Sequence, residues 1–169
     1  AYVFALEKKF EAVEAHLKKS IDFAKNGEAL YLLTLVSLRK KDKSGAKRYA
    51  EMASAVDPND SKGIMAKIEV MLASRQERQA NSLIKKALAK NPKSCDLLIT
   101  SAKVSWFLSK DDDVRTSSEK VVGLCPEMEM AYFYLGMVAH RFMEKKQAKK
   151  YFKLYKKFGG EESLIPKGY

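Results

Sequence analysis

PNDSKGIMAKIEVMLASRQERQANSLIKKALAKNP, residues 58–92, begins and ends on a proline and holds one full period of the chain. Between its ends the apolar residues recur at helical spacing, and Pro58 and Pro92 are separated by a step of 34. Pro126 follows Pro92 by the same step. A proline cannot extend a helix, because it lacks the N–H donor and its ring clashes with the preceding turn. Each proline therefore closes a helical stretch, and the interval is that of a helix-turn-helix array.

The small residues keep the same step. Ala46, Ala80 and Ala148 are related by intervals of 34 and 68, and Ala53 and Ala87 by 34. Small side chains let paired helices approach closely. Ala131-Tyr132-Phe133-Tyr134-Leu135-Gly136 resembles the first-helix signature of the tetratricopeptide repeat family, an aromatic followed three residues later by Leu-Gly, and Ala148 and Phe152 fall on its second-helix positions. Asp57-Pro58-Asn59-Asp60 and Asn91-Pro92 resemble its inter-repeat turn. The resemblance covers nearly the whole chain. It implies an all-α fold, a right-handed superhelix of antiparallel helix-turn-helix repeats, in which no hairpin buries its apolar face without a neighbour.

On this frame residues 27–60 form repeat one, 61–94 repeat two, 95–128 repeat three and 129–160 repeat four, with a tail at 161–169. Residues 1–26 form an incomplete repeat in which Phe4, Phe10, Val13, Leu17 and Ser20 fit the end of one helix and a second helix after it. Repeat two carries Lys67-Ile68 and repeat three Ser101-Ala102 where the family has Leu-Gly. Repeat three also places Val114 and Ser118 at the alanine and aromatic positions of the second helix, so irregular packing is expected there. The tail, with Pro166, Leu164 and Ile165, either caps the last hairpin or leads into a further element.

In the family the second, fifth, ninth and twelfth positions of each first helix face a groove. The resemblance assigns these to Glu28, Tyr31, Leu35 and Leu38, then Lys62, Met65, Glu69 and Leu72, then Asp96, Ile99, Lys103 and Trp106, and last Met130, Phe133, Met137 and His140. Tyr31, Leu35, Met65, Ile99, Trp106, Phe133 and Met137 give aromatic and thioether chemistry suited to a partner's amphipathic helix or extended peptide, with Lys103 and His140 beside them. Trp106 is the strongest single anchor, since tryptophan is enriched at binding hot spots. A stripe at helical spacing also serves as inter-helix core, so each side chain has two readings, groove lining or packing. Some tetratricopeptide domains hold a chaperone's carboxylate terminus with lysine, asparagine and arginine at the fifth and ninth positions. Only Lys103 has a suitable charge here, which argues against such a clamp.

The net charge of +11 is local. Residues 39–48 net +5 and residues 140–158 net +7, leaving about −1 elsewhere. The first cluster, from Arg39 to Lys43, falls at a turn and suits the end of a helix. In the second, Lys145, Lys149, Lys153 and Lys157 recur every four residues along one helix face, with Lys146, Lys150 and Lys156 beside them. A solvated outer face explains this stripe, and so does a nucleic acid, an anionic surface or an acidic protein. Tyr151, Phe152, Leu154, Tyr155 and Phe158 form the opposite, packing side.

Chemistry-bearing residues are sparse. Cys95 and Cys125 read as two half-buried thiols of a reducing, cytoplasmic compartment, although a hairpin would set them at the same end. His16 and His140 fall in distant repeats, and Asp111-Asp112-Asp113 lacks calcium-loop spacing and suits a helix start. No phosphate loop, nucleophile elbow or zinc-protease motif occurs, so the expectation is a chain without enzymatic activity, metal or cofactor. No apolar run reaches the roughly 20 residues of a membrane span. The opening on Ala1 reads as a fragment or a processed product. The function expected is a protein-interaction scaffold, with nucleic-acid or anionic-surface binding through the last helix as the alternative, and a homo-oligomer through an uncovered end as a further option.

Overall fold

The computed structural model describes residues 2–23, 26–58 and 60–169. The described residues form nine α-helices, a single 3-10 turn and the loops between them: α1 (Tyr2–Phe23), α2 (Gly27–Arg39), α3 (Lys43–Val56), α4 (Ser61–Ala73), α5 (Glu77–Lys90), α6 (Cys95–Phe107), α7 (Asp111–Leu124), α8 (Glu129–Arg141) and α9 (Lys145–Lys157), then the turn Glu162–Leu164. Where the sequence predicts two helices before Gly27, α1 is one unbroken helix. No proline or glycine interrupts that run. The side chains of Phe4 and Phe10, and Asn59 of the first proline turn, lie outside the described residues.

The helices α2, α4, α6 and α8 begin at Gly27, Ser61, Cys95 and Glu129, a constant step of 34, and the starts of α3, α5, α7 and α9 keep the same step. Pro58, Pro92 and Pro126 sit in the turns that follow α3, α5 and α7. Helix starts are capped by side chains where a suitable one stands at the boundary. Asn26 accepts from the Glu28 N–H at 2.9 Å, Asp42 from Gly45 at 2.8 Å, and Ser94 from Leu97 at 3.4 Å. Asp111, Asp112 and Asp113 fill the first turn of α7, where the helix dipole favours negative charge.

Within each hairpin the two helices are joined by one repeated device. Lys41, Arg75, Ser109 and Met143 have φ of 62°, 57°, 55° and 57°, in the left-handed region, and none is glycine. At each, the residue's N–H bonds the carbonyl three back, and the next N–H reaches five back, as Ser109 to Trp106 and Lys110 to Ser105 do at 3.1 and 2.9 Å. This is the Schellman arrangement, which satisfies carbonyls at the end of the first helix and redirects the chain into the second.

The chain forms two compact units, residues 1–83 and 84–169, divided within α5. The core of the first joins Leu30 and Leu33 of α2 to Tyr49, Ala50 and Ala53 of α3 and Ala66 of α4, with Leu17 and Ile21 of α1 packed against it. Close approach of α3 and α4 depends on Gly63, since a Cβ there would stand 2.9 Å from the Ala53 carbonyl oxygen and from the Ser54 Cα. Ser54 Oγ uses the proximity to donate to the Gly63 carbonyl at 3.1 Å.

In the second unit Ala102, Val114, Tyr134 and Val138 form one cluster, Leu98, Val121 and Ala131 another, and Ala139, Ala148 and Phe152 a third. Gly136 admits the Phe152 ring, which would otherwise meet a Cβ. At the place in α7 that corresponds to Phe152 stands Ser118, fully buried, with its hydroxyl lacking a hydrogen-bond partner. The reading of Cys95 and Cys125 as free thiols is corrected: the two form a disulfide, with Cα atoms 6.5 Å apart. Antiparallel helices of 13 and 14 residues bring the start of α6 beside the end of α7, so the pair closes the open end of that hairpin.

Candidate partner-binding surface

The groove candidates fall on first helices of hairpins, and each unit carries its own set. In the first unit Tyr31 and Leu35 of α2 are half-buried, whereas Met65 of α4 is 7% exposed and belongs to the core. Tyr31 packs on the Leu30–Tyr49 cluster. The Lys62 ammonium stands 5.7 Å from its ring centroid and pairs with Glu28 at 2.9 Å, so charged groups rim the aromatic face.

In the second unit Ile99, Lys103 and Trp106 of α6 and Phe133 and Met137 of α8 are all half-buried. Ile99, Trp106 and Phe133 rest on the Ala102–Tyr134 cluster, and Phe133 and Met137 on the Ala139–Phe152 cluster. Trp106 meets Tyr134 with ring centroids 6.4 Å apart, and Phe133 meets Tyr134 and Tyr155 at 5.6 and 5.3 Å. Helices α6 and α8 touch directly, so these side chains share one face of the unit. Ile99, Trp106, Phe133 and Met137 are each anchored in the core and keep part of their surface in water.

Two features of this face are invisible in the sequence. The Arg141 guanidinium lies 4.0 Å above the Trp106 ring centroid and is held there by an ion pair with Asp111, so one indole face is already covered. His140 is exposed, and its Nδ1 meets the Tyr169 hydroxyl at 3.0 Å, which sets the chain's own tail beside that end of α8. Tyr169 packs edge-on against His140 and Phe152, with centroids 5.4 and 5.1 Å apart. Of the tail's apolar pair, Ile165 packs on the Ala139–Phe152 cluster while Leu164 remains exposed.

All seven lysines of α9 are exposed: Lys145, Lys146, Lys149, Lys150, Lys153, Lys156 and Lys157. Lys156 pairs with Glu162 at 3.1 Å, and Lys157 stands 5.3 Å from the Phe158 ring centroid. The opposite side of the helix buries Ala148, Phe152 and Tyr155. Among the described residues no three His, Cys, Asp or Glu side chains gather as a metal site would require, and no helix is long and apolar enough to cross a membrane.

A thermophilic TPR protein of Thermus thermophilus superposes with a TM-score of 0.77 over 96% of this chain and 90% of its own, at 19% identity. A tetratricopeptide repeat protein of Parabacteroides merdae does so at 0.78, over 95% of this chain and 64% of its own, at 16% identity. The chain has the tetratricopeptide repeat fold. YrrB, a TPR protein with an unusual peptide-binding site, shares that fold at a TM-score of 0.59 and 14% identity, over 97% of this chain and 85% of its own. No protein-family model matches the sequence, and no curated protein matches it.

Proposed function

We propose that the chain is a non-enzymatic interaction module that receives a helix or extended peptide of a partner protein on the face shared by α6 and α8. The observation that carries this reading is the half-burial of Ile99, Trp106, Phe133 and Met137 together on that face. Side chains serving only as core would be fully enclosed, as Val104 and Val138 are at 0% and 1% exposure. Aromatic groups seated on a rigid core lose little freedom on binding, and a methionine thioether adapts its shape to the partner. Tyr31 and Leu35 extend the same chemistry to the first unit. Met65 is left out because its side chain is enclosed. Lys103 supplies a charge beside the apolar surface. The peptide-binding site of YrrB, on the same fold, lends support at the level of fold alone.

The test is a pulldown from native lysate, with and without nuclease and at low and at moderate salt, comparing wild type with Phe133→Ala and Ile99→Ala. A protein that the wild type retains under every condition, and that both variants lose while keeping their helical circular dichroism, is the expected result. Undiminished retention by both variants would overturn the assignment of this face. If nucleic acid were the only material retained, the lysines of α9 would become the site, because phosphate contacts are the ones that salt dissolves.

A further inference from the structure

Between the tail and the last hairpin lies a cleft of about 320 Å³, lined by His140, Lys145, Lys149, Lys167, Gly168 and Tyr169. Four of the six side chains are basic. They converge from three elements: His140 from the last turn of α8, Lys145 and Lys149 one turn apart at the start of α9, and Lys167 from the tail. Apolar contacts bring the tail here, through Tyr169 on Phe152 and Ile165 on the cluster beneath. Lys167 is thus carried toward Lys145 and Lys149. Among the described residues Lys145, Lys149 and Lys167 form no ion pair, whereas neighbouring Lys156 is paired with Glu162.

The start of α9 adds to the imbalance. Its first turn has no acidic residue and holds Lys145 and Lys146, and no side chain caps its N–H groups. Glu144, at the boundary, directs its carboxylate to Arg115 at 3.2 Å. A helix N-terminus carries about half a positive charge, so lysines there are unfavourable until an anion arrives.

We propose that this cleft is an oxyanion site that takes a phosphate group, its charge met by Lys145, Lys149 and Lys167 and one of its oxygens bonded also by the hydrogen-bonded His140–Tyr169 pair. The volume lies near the lower end of the roughly 300–1,000 Å³ of small-ligand sites, which suits one phosphate with a small carrier. The site uses different residues from the apolar face of α6 and α8 and does not depend on that reading.

Isothermal titration calorimetry at fixed ionic strength tests it, with inorganic phosphate, O-phosphoserine and serine as titrants. One saturable site for phosphate and phosphoserine, silent toward serine, is expected, weakened roughly tenfold by Lys149→Gln and by Lys167→Gln through loss of a charge-assisted hydrogen bond. Lys153→Gln and Lys157→Gln, on α9 outside the cleft, should change it far less. Tighter binding of phosphoserine identifies an ester as the source of the group, and equal binding identifies the free anion; either sustains the oxyanion site. No saturable binding, or equal loss in all four variants, would replace the site with the diffuse field of the lysine stripe. The four lysines are exposed, so the variants leave the core untouched.

Discussion

Lys41, Arg75, Ser109 and Met143 each hold a backbone conformation that L side chains adopt at a cost, because Cβ crowds the following carbonyl. The family's Leu-Gly signature draws attention to glycines inside helices, while these turns, where glycine would fit best, carry none. We expect Ser109→Gly to raise stability by about 0.5–1 kcal/mol, the relief of the left-handed strain exceeding the extra chain entropy of glycine. Ser109→Ala should bring no gain. Thermal melts of the two variants beside wild type decide the matter, and a midpoint for Ser109→Gly equal to or below that of wild type would mean that the strain relieved does not exceed the entropy cost of glycine. At Ser118 the sequence does mark a departure, a hydroxyl where repeat four has Phe152. The structure supplies the consequence, a buried hydroxyl with no partner.

Among the elements, α1 packs beside α2 and is tied to its end by charge. Glu14 binds Lys18 of its own helix at 2.6 Å and Lys40, just past α2, at 2.8 Å. Hydrogen bonds from Lys18 and then Lys40 hold the Glu14 carboxyl below its ordinary range. A lowered folded pKa makes the contribution complete above the unfolded value and removes it as pH falls through the folded one. Protection of α1 amides, corrected for intrinsic exchange, should therefore hold from pH 7 to pH 5 and decline below roughly pH 4. Glu14→Gln should remove that decline, and a decline that persists in the variant would place its cause elsewhere. Both lysines are largely exposed, so added salt should shrink the effect. Helix α1 also shows where periodicity misleads: apolar spacing continues across a boundary that no proline or glycine marks, and local propensity carries the helix through.

Across the array, stability is approximately a sum of hairpin terms and nearest-neighbour interfaces. Gly63→Ala should expose this, because its Cβ would meet the backbone of α3 and neither side can yield as a flexible side chain does. We expect a loss of about 1–3 kcal/mol, the usual cost of overpacking. Hydrogen exchange should quicken across α2 to α4 while α6 to α9 keep their protection. Uniform loss of protection over both units would show instead that the chain unfolds as one cooperative body.

The repeat period, the prolines in the turns and the small residues at the helix contacts were all legible in the sequence, because each acts through the backbone within a few residues of itself. So was the division of α9 into a lysine face and a buried face, since helical spacing alone assigns sides. Other relations arose only when distant segments packed. Cys95 joins Cys125 across a separation of 30, Arg141 covers Trp106 while pairing with Asp111, and His140 meets Tyr169 across 29. Each pair is brought together by hairpin closure or by the seating of the tail, and no periodic pattern records which of several suitable neighbours a side chain will reach. Residue order was enough to say which faces are apolar or charged. Packing decided which of those side chains are enclosed, which are covered by a neighbour and which converge on a cleft, because burial and convergence depend on all the segments that meet at a place.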